Sequence, residues 1–250
     1  MVGGRTMLRW RLVVGFAAFI FALGASCDGD DDPTPLPLPT DTGSDTVPVD
    51  MTQQEREEKV LDDARGLQLL LNDFWTQELA RLYNIQFDVP DRFEFYRGEG
   101  NQPCGGIPKP LPNNAYYCNP DSDEYVAFDL DWLQAYLVDY PGGATTFLIL
   151  AHEWGHAVQD TWLETGGTDV WNPPARKELN ADCLAGVFLA EAIADGSITE
   201  EAGDSEAIWG WLYSQGGPWF APTDHGTQDE RIAAFADGVA AGTDQCRQQY

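Results

Sequence analysis

The sequence predicts an α+β domain, mainly helical, with a small antiparallel sheet ahead of most of the helices. Three observations point there. After Thr52, apolar residues recur at helical spacing; from Phe87 to Leu130 the pattern changes to short alternating pieces broken by Gly, Pro and Asn; from Asp131 onward helical spacing returns. A strand region followed by a helical one is the α+β arrangement.

The first 27 residues precede that domain. They carry Arg5, Arg9 and Arg11, no acidic residue, an apolar run from Leu12 to Leu23, and then Gly24, Ala25, Ser26 and Cys27. A basic start, an apolar run too short for a confident membrane span and small residues suited to a peptidase make an export signal over 1–27. Cleavage before Cys27 leaves a cysteine that bacteria can acylate. We therefore expect lipidation at Cys27 and a cell-envelope lipoprotein rather than a freely secreted protein, although Gly24 stands where Leu is usual and Leu23 comes one place early. Residues 28–50 read DGDDDPTPLPLPTDTGSDTVPVD, with seven aspartates, five prolines and no aromatic residue. Such a segment buries no core, and charge repulsion with proline stiffness predicts a disordered, extended tether.

Residues 51–250 are then the folded domain. Val60, Leu61, Leu67, Leu70, Leu71, Phe74, Trp75, Leu79 and Leu82 predict one long amphipathic helix. FEFY and YVAFDL predict short strands. Further helices are expected at 131–139, 144–161, 174–195, 204–214 and 227–241, the third of these with Asn172 as N-cap and Pro173 in the first turn.

Charge narrows the function. Fourteen basic residues against 41 acidic ones give a net charge of −27. Loss of the three signal arginines takes the mature chain to about −30, a surface that repels phosphate backbones and anionic lipid head groups. Nucleic acid is excluded as a partner, and membrane contact is expected only through a lipid at Cys27. Four cysteines remain after Cys27, an even number in an exported chain, so disulfides are expected. Of the three pairings, the short Gly-, Pro- and Asn-rich loop favours Cys104 with Cys118, and Cys183 with Cys246 follows by elimination. A zinc–cysteine site is the rival, but no C-x-x-C spacing is present.

The chemistry sits in TFLILAHEWGHAVQD, where H-E-x-x-H falls on an apolar helical pattern. Residues four apart share a helix face, so His152 and His156 can present imidazoles to one ion while Glu153 lies beside a metal-associated water. The chain has three histidines and two are in this motif. Gly155, unfavourable within a helix, predicts close packing behind the site. A catalytic zinc takes a third protein ligand. In NPPARKELNADCLAGVFLAEAI, Glu178 and Asp182 are four apart, so Glu178 can reach zinc while Asp182 accepts a hydrogen bond from the other ring nitrogen of a ligand histidine. Ala181, Ala185 and Leu189 continue that face and mark it as buried. His225, the remaining histidine, is the candidate donor to a developing oxyanion. It could instead shape a helix start or replace Glu178 as ligand.

These residues resemble the bacterial neutral zinc metallopeptidases. The resemblance covers CGGIPKPLPNNAYYCNPDSDEYVAFDL, AHEWGHAVQ, ELNADCLAGVF and DHGTQDERIAAF followed by DQC, in that family's order. It implies a zincin-like metallopeptidase domain, one Zn2+ per chain, membrane-associated or exported placement, and, by analogy with glutamate-ligand zincins of the thermolysin kind, Glu178 as third ligand with Asp182 behind a histidine. The expected function is zinc-dependent endopeptidase hydrolysis of a peptide or protein substrate, with Glu153 as general base. The alternative is a catalytically inactive exported lipoprotein module that binds zinc or protein.

Overall fold

The computed structural model describes residues 52–98, 104, 112–120, 123–139, 143–167, 174–218 and 224–250. The signal segment with Cys27, the linker and the expected helix start at Asn172 and Pro173 lie outside them.

Helix α1 (Gln53–Tyr83) begins at a capping box. Glu55 N–H donates to Thr52 Oγ1 at 3.3 Å, and Thr52 N–H donates to Glu55 Oε2 at 2.7 Å, so two of the donors left open at a helix start are satisfied. The helix ends at Asn84, whose φ of 55° is the left-handed conformation that Asn tolerates. Val60, Ala64, Leu67, Leu71, Trp75 and Leu79, three or four residues apart, form its buried stripe.

Strands β1 (Arg92–Tyr96), β2 (Ala115–Cys118) and β3 (Tyr125–Asp129) form a sheet in the order β1-β3-β2. The sheet is mixed, which corrects the expectation of an antiparallel one: β2 pairs antiparallel with β3, and β1 pairs parallel with it, Arg92 opposite Tyr125 through Tyr96 opposite Asp129. Every residue of β3 is buried, so β3 takes the centre and its neighbours the two edges. A short return from β2 makes the antiparallel pair, whereas β1 reaches the opposite edge through a crossover, which permits the parallel direction.

Five helices match the expected ones within a few residues: α2 (Leu130–Asp139), α3 (Ala144–Glu164), α4 (Pro174–Ala194), α5 (Asp204–Gln215) and α6 (Gln228–Ala241). A further helix, α7 (Thr243–Gln249), has too little apolar periodicity for a sequence signal. The main packing is α4 on α6 and on α3, with α1 also against α3. At the α4–α6 crossing a Cβ on Gly238 would sit 1.9 Å from the Cys183 carbonyl oxygen, so only glycine allows this approach. Disulfides join Cys104 to Cys118 and Cys183 to Cys246, tying the end of β2 and fixing α7 on α4. The fold is the mainly helical α+β domain that the periodicity predicts. Among the described residues no helix is long and apolar enough to cross a membrane.

Candidate metal centre

Helix α3 is buried on nearly all sides because its sequence is apolar for most of its length, so its few polar side chains face partners inside the protein. His152 and His156 stand one turn apart with ring centroids 4.9 Å from each other. Glu178 reaches them from α4: its Oε2 lies 3.3 Å from His152 Nε2 and its Oε1 lies 3.5 Å from His156 Nε2. A Cβ on Gly155, between the histidines, would lie 2.9 Å from Ala181 Cα, so this glycine lets α4 come close enough for Glu178 to meet the imidazoles.

Three ligand atoms, one from each of these residues, lie within 4.8 Å of one another. A tetrahedral ion with bonds of about 2.1 Å keeps its ligand atoms about 3.4 Å apart, so the observed spacings and the nitrogen–oxygen donor set fit zinc. The ring nitrogens facing away are engaged as well. His152 Nδ1 lies 2.8 Å from Asp182 Oδ1 and His156 Nδ1 lies 2.9 Å from Gln159 Oε1, which leaves each Nε2 toward Glu178.

Asp182 is fully buried and its charge is matched by Arg231 of α6. Arg231 Nε donates to Oδ2 and Nη2 to Oδ1, both at 2.7 Å, and the guanidinium lies 5.0 Å from the centroid of the Trp211 ring. Burial alone would raise the Asp182 pKa, but the paired arginine and His152 hold it below the usual carboxylate range. Burial likewise opposes a charge on His152, yet Asp182 and Glu178 outweigh it and push the imidazole up to about 10. Burial acts against ionised Glu178 too, and His156, His152 and His225 together hold it far below the usual range. His156, with a weaker share of these carboxylates, is lowered by burial to about 4. The cluster thus favours a cation among its side chains, and a proton on His152 competes with a metal for the place.

Glu153 is buried beside this group, and burial pushes its pKa up to about 7. Its Oε2 accepts from the backbone N–H of Tyr117 on β2 at 2.8 Å. His225 stands at the rim with its side chain 55% exposed, and its Nδ1 lies 2.7 Å from Glu178 Oε2. All four of Glu153, Glu178, His225 and Arg231 line a cleft of about 390 Å³ that also holds His152 and His156. A groove of about 360 Å³ elsewhere is lined by Leu61, Leu69, Phe93 and Phe95 among others, whereas the histidines and carboxylates gather in the first cleft.

The structure therefore brings together His152, Glu153, His156, Glu178, Asp182 and His225. Three further contributors had no role assigned from sequence. Arg231 lay in a quoted motif, but nothing local pairs it with Asp182, 49 residues away. Gln159 follows His156 by three residues, a helical neighbour that spacing could have raised. Tyr117 acts through its backbone, which no side-chain pattern reveals.

A family model described as "Putative neutral zinc metallopeptidase" matches residues 3–249. No curated protein and no solved structure matches the chain.

Proposed function

The chain belongs to the neutral zinc metallopeptidase family, and on that premise we propose that it is an exported zinc endopeptidase of the H-E-x-x-H type. The observation that carries this reading is the convergence of His152 Nε2, His156 Nε2 and the Glu178 carboxylate beside buried Glu153. These three side chains would hold one Zn2+ per chain. When bound, zinc supplies Lewis-acid polarisation of the scissile carbonyl and acidifies water at the site.

The protein's own groups do the rest. Glu153 accepts the proton of the attacking water and passes it to the leaving amine. Burial strengthens it as a base, and the Tyr117 N–H on Oε2 leaves Oε1 to take the proton. Asp182, fixed by Arg231, keeps the His152 ring turned with Nε2 toward the Glu178 carboxylate, where it would serve as a zinc ligand. His225 steadies Glu178 and, from its exposed position at the rim, is the proposed donor to the developing oxyanion. The substrate is a peptide or protein segment entering the cleft.

Export is supported by the two disulfides, which suit an extracytoplasmic protein, and by the layout of residues 1–27. Acylation of Cys27 would place the enzyme in the cell envelope. Metal analysis of residues 51–250 combined with a peptide-library digest tests the function. One equivalent of zinc with cleavage by wild type and none by Glu153→Gln is the expected result. Zinc without cleavage would favour the inactive binding module, and no bound zinc would overturn the assignment.

A further inference from the structure

Behind His156 runs a chain of hydrogen bonds whose direction is set at two backbone carbonyls. Gln159 Nε2 lies 2.8 Å from the Lys177 carbonyl oxygen and 2.9 Å from Asn180 Oδ1. Asn180 Nδ2 lies 2.8 Å from the Cys246 carbonyl oxygen. Both amide side chains are fully buried. A carbonyl only accepts, so Asn180 must point its NH2 at Cys246 and its oxygen at Gln159. Gln159 must likewise point its NH2 at Lys177 and Asn180, and its remaining group, Oε1, is the one that faces His156 Nδ1 at 2.9 Å. That nitrogen must therefore carry the proton, and the lone pair must stand on Nε2.

His156 has a competing choice. With its proton on Nε2 it would donate to Glu178 Oε1, 3.5 Å away, and would have no lone pair toward an ion. We propose that Gln159, held by Asn180 and by the backbone of α4 and α7, is the positioning residue that fixes His156 as its Nδ1–H tautomer and so preforms the zinc site. The Cys183–Cys246 disulfide belongs to the same device, because it pins to α4 the turn of α7 whose carbonyl ends the chain. His152 is fixed by a carboxylate on α4 and a guanidinium on α6, and His156 by two neutral amides on α3 and α4, so both ligands lean on α4 but end on different helices, α6 and α7. This inference rests on the reading of His156 as a metal ligand.

The test is the tautomeric state of His156 by 15N NMR of the imidazole in the metal-stripped protein at neutral pH, together with zinc affinity by chelator competition and thermal stability. Wild type is expected as the Nδ1–H tautomer. Gln159→Leu, which removes the acceptor, is expected to shift His156 to Nε2–H and to weaken zinc by about 10- to 100-fold. Gln159→Glu keeps an acceptor at His156 but loses its donors, so it is expected to retain the tautomer and most of the zinc affinity while its Tm falls through the lost bonds to Lys177 and Asn180. A purely structural role would lower Tm in both variants and leave affinity and tautomer unchanged in both, and that result overturns the proposal. So does an Nε2–H tautomer in wild type, a measurement that needs no variant to fold. If wild type bound no zinc, the proposed function would fail, while the tautomers of wild type and Gln159→Leu would still decide what Gln159 does.

Discussion

The backbone N–H of Tyr117 donates to Glu153 Oε2 at 2.8 Å, which joins an edge strand to the carboxylate proposed as the base. The same residue donates its phenolic O–H to Glu124 Oε2 at 2.6 Å, so β2 is held between two buried carboxylates.

Glu153→Gln is expected to keep zinc and to lose hydrolysis by at least about a hundredfold, because the amide can still accept from Tyr117 but cannot take a proton from water. Asp182→Asn should act through the metal, weakening zinc by roughly 10- to 100-fold, so added zinc restores part of its activity. Zinc titration of both variants against one peptide substrate checks this. Equal rescue of the two would contradict the division of roles.

Arg231→Met is expected to destabilise the fold by about 3–5 kcal/mol, since it strands the buried Asp182 charge with only His152 opposite. The Tm and denaturant midpoint measure it. A loss under about 1 kcal/mol would mean that Asp182 finds another partner or takes up a proton at little cost.

Gly155→Ala should be destabilising despite a helix-propensity gain of about 1 kcal/mol, because the new methyl meets the Ala181 backbone at 2.9 Å. Forcing α3 and α4 apart moves Glu178 away from both imidazoles, so zinc affinity is expected to fall along with a stability loss of roughly 1–3 kcal/mol. Unchanged affinity measured by chelator competition would show that the crossing is more pliant than the contact implies.

Glu124 gives a pH dependence away from the metal centre. Burial, with Asp88, Glu164 and Asp160 nearby, pushes its pKa up to about 7, against the opposing hydrogen bond from Tyr117. The folded state therefore holds a proton that the unfolded chain releases near its ordinary value of 4.5. The stability contributed is fully present below that ordinary value and is lost as pH rises through about 7. Glu124→Gln should flatten that part of the profile and gain stability relative to wild type at pH 8. Parallel Tm profiles for the two proteins would remove Glu124 as the cause.

The sequence by itself determined what depends on spacing along one chain segment. The apolar repeat of α1 fixed the helix and its buried stripe, and the four-residue steps from His152 to His156 and from Glu178 to Asp182 fixed which side chains share a face. Cysteine count and loop length were enough to pair Cys104 with Cys118, the remaining pair following. Tertiary structure alone decided the rest. Alternation marks a strand but names neither partner nor direction, so the parallel pairing of β1 with β3 came from a crossover that the pattern does not encode. The short helix α7 holds its place through Cys246 and the carbonyl that receives Asn180, contacts made at a distance in sequence. Arg231 on Asp182, Gln159 between His156 and Asn180, and the Tyr117 N–H on Glu153 arise where helices and a strand edge cross. Burial forces each such polar group to find a partner, and only the packing of the elements determines which one.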